Sequence, residues 1–161
     1  MVATTATTAL QAAGIAFTEH PYAHDPRNSS YGIEAAQALG CDPAEVFKTL
    51  ICLADTAPVV AIVPVLATVN LKTLAQCAGA RKARMAEVDH AERITGYVAG
   101  GISPFGQRAA LATYGDRAIA MGEWVYVSGG RRGFDVRVRS ADLIDLTQAT
   151  VCDLARHATH R

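Results

Sequence analysis

A lysine inside an apolar run is the first residue of this chain whose type and place indicate chemistry. Lys48 stands in the segment 46–53, VFKTLICL, where only Lys48 and Thr49 are polar. A cation there must reach solvent, an opposite charge or a ligand, because an unpaired buried charge is costly. A lysine near a strand end that extends its ammonium group to water is the simplest alternative. Its position alone leaves both interpretations open.

A glycine-rich segment, residues 100–106 (GGISPFG), is the second candidate. Glycines let backbone N–H groups converge on an anion or a developing oxyanion without side-chain obstruction. A tight structural turn would use the same residues. The stretch 101–106 is one residue too long for the G-x-S-x-G motif of serine hydrolases, and no His and Asp pair is placed to activate Ser103. A serine-hydrolase triad is therefore not expected.

Asp135 is the third candidate, because it lies early in an apolar strand just after the segment 130–133, GRRG. Its carboxylate is suited to accept hydrogen bonds from a ligand amine or to pair with Lys48, and closing a turn is the alternative role. The GRRG segment imitates the G-x-x-G loop that clamps nucleotides in KH modules, but a hairpin turn with two solvated arginines explains it equally well. One compact basic cluster, RKAR at 81–84, is either a phosphate contact or a solvated loop.

The histidines and cysteines do not form a metal-binding pattern. His20 and His24 are four residues apart, but Pro21 and Pro26 disfavour a helix there, and no H-E-x-x-H follows. The cysteines at 41, 52, 77 and 152 contain no C-x-x-C pair, which argues against a zinc knuckle, a redox motif or a disulfide framework. We therefore predict no metal, no cofactor and a reducing cytoplasmic environment.

Length and composition predict one compact domain over residues 1–161. Half of the residues are hydrophobic, which is enough for a sizeable core. The first residues contain no basic signal segment, and no run approaches the roughly 20 apolar residues of a membrane span. The expectation is a soluble protein without a membrane partner. Because 15 Lys and Arg balance 15 Asp and Glu, any contact with nucleic acid must be local.

Helix formers that end before a glycine, together with capping residues, predict the elements that must position these residues. Helices are expected at 4–13, 32–39, 71–78 and 87–95, after a cap at Ser140 and after a cap at Thr150, with a helical turn at 42–45. Strands are expected at 15–19, 46–53, 59–63, 124–128 and 134–139, the last two as a hairpin. Without a regular βαβ rhythm, this order predicts an α+β fold with a mixed, barrel-like sheet.

The ordered segments HPYAHDPR, VFKTL, PV, LKTLA, TGYVAGGISPFGQ, VYVSGGRRGFDV and ADL resemble the YbaK/EbsC family of aminoacyl-tRNA deacylases over about residues 5–156. The two glycine-containing segments are the most specific part of the match. The resemblance implies a single domain whose mixed, mostly antiparallel sheet forms a pseudo-barrel surrounded by helices. It also implies removal of cysteine from mischarged proline tRNA, beside prolyl-tRNA synthetase and without a metal.

Carried over position by position, the resemblance implies a set of site residues. Lys48 in FKTL matches the family's essential lysine, and the backbone amides of Gly101 and Ile102 would lie close to the ester. The implied catalytic residues are Lys48, Gly100, Gly101 and Ile102. The implied substrate-binding residues are Tyr22, Phe47, Thr49, Ser103, Pro104, Ser128 and Asp135. The implied nucleophile is the thiol of the substrate cysteine.

The sequence departs from the family pattern in two places. Segment 66–70, LATVN, replaces a glycine-containing turn and an aspartate, and segment 109–115 replaces an RLPT-like stretch. Both lie outside the lysine and glycine motifs, so they bear on tRNA docking and partner choice. Two alternative functions stay open: removal of alanine from proline tRNA, and a non-catalytic module that binds tRNA or a synthetase.

Overall fold

The computed structural model describes residues 2–157, which form five helices and ten strands. The helices are α1 (Thr5–Ala12), α2 (Tyr31–Leu39), α3 (Leu71–Ala78), α4 (Val88–Thr95) and α5 (Ser140–Thr147). The strands are β1 (Phe17–Pro21), β2 (Phe47–Ala54), β3 (Ala57–Pro64), β4 (Thr68–Val69), β5 (Ala83–Met85), β6 (Thr113–Asp116), β7 (Trp124–Arg131), β8 (Phe134–Arg139), β9 (Thr150–Cys152) and β10 (Ala155–Arg156). None of these helices is long and apolar enough to cross a membrane.

Local signals explain where the helices begin and end. The side chain of Asn70 accepts a hydrogen bond from the Thr73 N–H at the start of α3, at 3.2 Å. Gly40 and Gly79 adopt left-handed backbone angles directly after α2 and α3, as the sequence predicts. The expected helical turn at 42–45 is present as a 3-10 turn, Pro43–Glu45, in which Asp42 accepts from the Ala44 N–H at 2.9 Å.

A buried hairpin forms the centre of the larger sheet. Strands β2 and β3 pair in antiparallel register from Phe47 opposite Pro64 to Ala54 opposite Ala57. Both strands are apolar because this five-stranded sheet, ordered β5-β2-β3-β6-β9, is buried on two faces at its centre. Strand β6 pairs in parallel with β3 and β9, so the sheet is mixed as predicted.

The second sheet, ordered β1-β8-β7, contains the predicted hairpin. Side chains alternate along its strands: Val127 and Val136 are buried in the core, and Ser128, Asp135 and Arg137 lie on the opposite face. A single parallel bridge between residues 46 and 126 connects this sheet to the start of β2.

One apolar cluster holds the two sheets together. It combines Phe47 and Ile62 from the larger sheet with Val127 and Val136 from the smaller one, and Leu10 of α1 closes it. Each such buried side chain contributes about 1.5–3 kcal/mol of transfer free energy. This packing fixes the position of β2 relative to the hairpin.

The α+β class and the mixed sheet are confirmed, and three finer expectations are corrected: the barrel-like closure and the helix caps at Thr150 and Ser140. Residues 2–157 form three separate sheets, and none of them closes into a barrel. The third sheet pairs only β10 with β4.

Thr150 does not cap a helix: it begins β9, because its segment pairs with β6. Ser140 is the first residue of α5, and its hydroxyl donates to the Gly122 carbonyl at 2.8 Å, so it does not cap that helix.

Candidate functional site

A cavity of about 380 Å³ opens between the start of β2, the β7–β8 hairpin and α2. Eight of the eleven site residues expected from the sequence line it: Tyr22, Phe47, Lys48, Thr49, Gly100, Ile102, Ser128 and Asp135. Three do not: Gly101, Ser103 and Pro104. Residues distant in sequence are thus brought to one cavity.

Strand register explains how the polar groups meet. Val46 forms a parallel bridge with Tyr126, so two residues further along Lys48 and Ser128 lie on the same side of their strands. Ser128 is paired with Asp135 in the β7–β8 hairpin. The bridge and the hairpin together place an ammonium group, a hydroxyl and a carboxyl on the wall of one cavity.

Burial shapes the charges of the two ionisable groups. It lowers the pKa of the half-buried Lys48 ammonium group. Asp135 is only 6% exposed, and burial raises the pKa of its carboxyl to about 7. Within residues 2–157 the two side chains form no ion pair with each other or with any other residue. Both are therefore available to a ligand.

Thr49 and Tyr22 are two further residues that line the cavity. The hydroxyl of Thr49 is buried and has no hydrogen-bond partner in the described part of the chain, which is costly unless a ligand or solvent satisfies it. The backbone N–H of Tyr22 donates to the Gly133 carbonyl at 2.9 Å and fixes this residue beside the hairpin turn. Burial, with a smaller effect of the Asp135 charge, raises the pKa of the Tyr22 phenol, so it stays neutral.

The glycine loop presents its backbone to the cavity at two of its residues. Gly100 and Ile102 line the cavity, and the N–H of Ile102 has no acceptor among residues 2–157. Gly101 differs: its N–H donates to the Val98 carbonyl at 2.9 Å and is used within the turn. The expectation that Gly101 also directs its amide at a ligand is therefore not met.

Ser103 and Pro104 are residues of the same loop, but they are buried and do not line the cavity. The hydroxyl of Ser103 accepts from the Phe105 N–H at 3.2 Å, and its carbonyl accepts from the Gln107 side chain at 3.0 Å. The hydroxyl of Tyr97 donates to the Phe105 carbonyl and anchors the far end of the loop. Ser103 and Pro104 thus shape the loop from behind.

An arginine connects the hairpin turn, the glycine loop and α2. The Nε of Arg132 donates to the Ala99 carbonyl at 2.7 Å, and its guanidinium lies 5.1 Å from the Tyr31 ring centroid. The Tyr31 ring in turn lies against Gly100. In the GRRG segment, Arg132 therefore supports the site from its rim.

Replacement of Gly100 by alanine tests how tightly this loop is built. Gly100 has a φ of +83°, and a Cβ there would lie 2.6 Å from the Tyr31 ring. Gly14 also has a positive φ, +69°, but a Cβ there would meet nothing within 4 Å. We expect Gly14→Ala to cost about 1 kcal/mol of unfolding free energy, and Gly100→Ala to cost clearly more because Tyr31 must move. Denaturant unfolding measures both variants, and equal losses would show that Tyr31 does not constrain the loop.

Sequence reasoning missed the residues that α2 and the loop before it contribute. The additional lining residues are Ser29, Ser30, Tyr31, Gly32, Ile33, Ala35, Val46, Leu50 and Val65. Most are small or apolar and have no chemical signature. The hydroxyl run Ser29, Ser30 and Tyr31 is the one signal in the sequence that could have indicated this wall.

The remaining candidates do not line the cavity. The Nε2 of His20 lies 2.7 Å from the Thr18 hydroxyl, and the Nδ1 of His24 lies 2.6 Å from a Glu34 oxygen. In the described residues, no group of three or more His, Cys, Asp or Glu side chains is arranged to hold a metal ion. Of the basic cluster, Arg84 pairs opposite Leu53, at the end of β2 away from Lys48.

The pH dependence of stability should report the buried Asp135. Its carboxyl ionises at about 7 in the folded protein, against the ordinary value of 3.8. Between these values the folded state holds a proton that the unfolded state has lost, so the contribution of this group to stability is fully present below pH 4 and is lost as the pH rises through about 7. Asp135→Asn should remove this fall, which urea unfolding of both proteins from pH 4 to pH 8 measures. If the stability of the wild-type protein and that of the variant change with pH in parallel, the raised pKa of Asp135 is contradicted.

A small α+β domain with an open cavity, a lysine without an ion pair in the described residues and a glycine loop defines a class of ligand-binding domain. Residues 28–146 match the family model of the aminoacyl-tRNA editing domain. The chain belongs to this family.

One curated relative agrees with this membership, and two solved structures share the fold. The chain is 32% identical over 120 residues to the EbsC protein of Enterococcus faecalis, named as a proposed Cys-tRNA(Pro)/Cys-tRNA(Cys) deacylase, with 74% of this chain and 73% of that protein covered. The fold is shared with the crystal structure of hypothetical protein APE2540, at a TM-score of 0.85, 24% identity, and coverage of 95% and 100% of the two chains. It is also shared with a proposed trans-editing enzyme for prolyl-tRNA synthetase, at a TM-score of 0.81, 24% identity, and coverage of 97% and 99%.

Proposed function

We propose that this chain is a trans-editing hydrolase that removes cysteine from mischarged Cys-tRNA(Pro). Membership of the editing family and the likeness to EbsC support an aminoacyl ester as the substrate. The observation that carries the proposal is the cavity wall, where the Lys48 ammonium group forms no ion pair and the Ile102 N–H has no acceptor within residues 2–157. An ester carbonyl and an adjacent phosphate are the acceptors that such donors require.

The nucleophile in this proposal is the thiol of the substrate. Its sulfur attacks the ester carbonyl, the carbon–oxygen bond to the ribose breaks, and the thiol proton passes to the departing ribose oxygen. The product is a strained cyclic thioester, which water then opens to free cysteine. An aminoacyl ester is already activated, so positioning and oxyanion stabilisation are the main requirements.

The cavity lining supports a mechanism without a protein nucleophile. None of the four cysteines and none of the described histidines lines the cavity. Ser128 lines it, but its hydroxyl accepts from the Gly130 N–H at 3.2 Å and no histidine in the lining stands beside it as a base. A serine hydroxyl needs such a base, whereas a thiol with a free pKa near 8.5 needs only modest help.

Each cavity residue has a role in this scheme. Lys48 polarises the ester or holds the phosphate of the terminal adenosine, the Ile102 N–H stabilises the oxyanion, and Asp135 accepts from the substrate's α-amino group. Tyr22, Phe47, Thr49 and Ser128, which line the cavity, would contact the substrate in this scheme. Gly100 allows the close approach of the loop.

One deacylation assay discriminates the proposal from its alternatives. Purified protein is mixed with proline tRNA charged with cysteine, alanine or serine, and loss of each ester is followed. Fast turnover of the cysteine ester alone is expected. Preferential turnover of the alanine ester would identify an alanine-specific editor, and binding of charged tRNA without turnover would identify a non-catalytic module. Faster deacylation of the cysteine ester when prolyl-tRNA synthetase is added would support that synthetase as the partner.

Deacylation should not depend on a metal ion. The donor sets of the described residues provide no complete ligand group, and the chemistry proposed needs no Lewis acid. Treatment with EDTA followed by desalting should leave the initial rate unchanged, with a mock-treated sample as the control. A clear loss of rate that zinc restores would contradict this prediction and would make His20 and His24 candidate ligands.

A further inference from the structure

We propose that the outer face of the β1-β8-β7 sheet, next to the cavity, binds the single-stranded 3′ end of the RNA substrate. We call this surface the arginine–tryptophan face and define it by Trp124, Tyr126, Arg137 and Arg139. This inference rests on the proposed function, because it assumes an RNA whose terminal ester reaches the cavity.

The register of the sheet makes the face continuous with the cavity. Asp135 and Ser128 form a cross-strand pair in the cavity wall, and Arg137 opposite Tyr126 and Arg139 opposite Trp124 are the next two pairs on the same side. Same-side residues are about 6.7 Å apart along a strand, so the two further pairs extend about 13 Å from the cavity. A chain leaving the cavity meets them in sequence.

The side chains of the face form a stack of cations and rings. The Arg137 guanidinium lies 4.9 Å from the Trp124 ring centroid and 5.8 Å from that of Tyr126. The Arg139 guanidinium lies 4.6 Å from the Trp124 ring on the same strand pair. The Tyr126 ring also packs against the cluster of Ala36, Val46 and Val65 and against the His20 ring, 5.1 Å away. Trp124, Arg137 and Arg139 therefore provide the stacking surface for unpaired bases, and the charges face the phosphates.

Arg137 has an unsatisfied polar atom. Its Nε is buried and has no hydrogen-bond partner in residues 2–157, and no carboxylate there forms an ion pair with it. A buried donor without a partner is destabilising unless a ligand or solvent completes it. Arg139 is paired with Glu123 at 2.7 Å, but both side chains are exposed, so this pair is weak and exchangeable.

Charge complementarity favours an RNA end over a protein surface as the occupant. The chain has no net charge, so attraction to a polyanion depends on a local concentration of cations. The arginine–tryptophan face combines two arginines with two aromatic rings, which is the composition of surfaces that hold unpaired nucleotides. The basic cluster at 81–84 lacks this continuity, because Arg84 lies opposite Leu53, about 17 Å along β2 from Lys48.

The single tryptophan of the chain provides a direct binding signal. A short RNA that ends in CCA, carries no amino acid and is not fluorescent is titrated into the protein. It should quench Trp124 emission as a base joins the stack of Trp124, Arg137 and Arg139. Arg137→Ala and Arg139→Ala should each weaken binding about tenfold and reduce the slope of log K against log salt by about 1. Arg84→Ala removes an exposed arginine outside the face and should leave affinity and slope unchanged.

Two further measurements keep the result interpretable. Arg139 is exposed, so its alanine variant should fold even where Arg137→Ala does not, and thermal unfolding checks both. Trp124→Leu should weaken binding of the same RNA carrying a 5′ fluorophore, measured by anisotropy. If Arg84→Ala lowers affinity and the face variants do not, the RNA end docks on the basic cluster and the proposal is overturned.

Failure of this inference is distinguishable from failure of the proposed function. In deacylation assays the face variants should raise KM for charged tRNA about tenfold and leave kcat nearly unchanged, as expected for lost docking. If the wild-type protein is active and the face variants have an unchanged KM, RNA binding by the arginine–tryptophan face is refuted and the proposed function stands. RNA binding that depends on Arg137 without any deacylation overturns the proposed function alone.

Discussion

Lys48→Ala is expected to lower the rate of deacylation by about 10²- to 10³-fold, the range seen when an electrostatic stabiliser of a transition state is removed. The Lys48 ammonium group is half-buried in the cavity wall, and burial lowers its pKa. No carboxylate of residues 2–157 forms an ion pair with it. A group in this setting stabilises negative charge strongly because little water screens it. Single-turnover rates with Cys-tRNA(Pro) measure the effect.

The fold should survive this substitution. Loss of the lysine removes a desolvated charge and opens no cavity in the apolar core, so the melting temperature should change little. Lys72→Ala, which removes an exposed lysine from α3, is the matched control and should retain full activity. Asp135→Ala should reduce activity less than Lys48→Ala, because it affects amine binding more than the reacting carbonyl. An unfolded or fully active Lys48→Ala protein would make Lys48 a structural residue.

Substitution of the substrate is expected to have the second large effect. Proline tRNA charged with serine or alanine should bind about as well as the cysteine ester, but turn over at least about 10²-fold more slowly, because effective molarities of well-placed intramolecular nucleophiles are very large. The change removes the attacking thiol and little contact area. Single-turnover deacylation gives the chemical rate, and competition against Cys-tRNA(Pro) gives the affinity.

Two controls separate the thiol from groups of the protein. Ser128→Ala and a variant with all four cysteines replaced by serine should keep measurable turnover of the cysteine ester, since neither contributes the nucleophile. Comparable rates for alanine and cysteine esters would refute attack by the substrate thiol and would favour attack by water.

The parts of the fold predicted from sequence are those with strong local signals. The helix Leu71–Ala78 was predicted with its bounds, because Asn70 caps it and Gly79 ends it. The central strands β2 and β3 and the hairpin of β7 and β8 also follow from apolar runs and a glycine turn. Lys48 was noticed because a cation interrupts an apolar strand.

The unpredicted parts depend on contacts between distant segments. Strands β4 and β10 have two residues each, too few for a periodic pattern, and they exist because they pair with each other. Threonine is a residue type that often caps helices, but the segment that begins at Thr150 pairs with β6 in the sheet. The α2 wall of the cavity carries small residues with no chemical signature, and the use of the Gly101 N–H within the turn becomes visible only in three dimensions.

Alternation along the β7–β8 hairpin separates two sets of positions that natural variation can change independently. Val127 and Val136 are enclosed by the core, while their neighbours Ser128 and Asp135 belong to the cavity wall. An exchange at a wall position leaves the enclosed neighbours untouched, since adjacent side chains point to opposite faces. The hairpin therefore allows substrate preference to diverge stepwise among descendants of one ancestral protein, at little cost to folding.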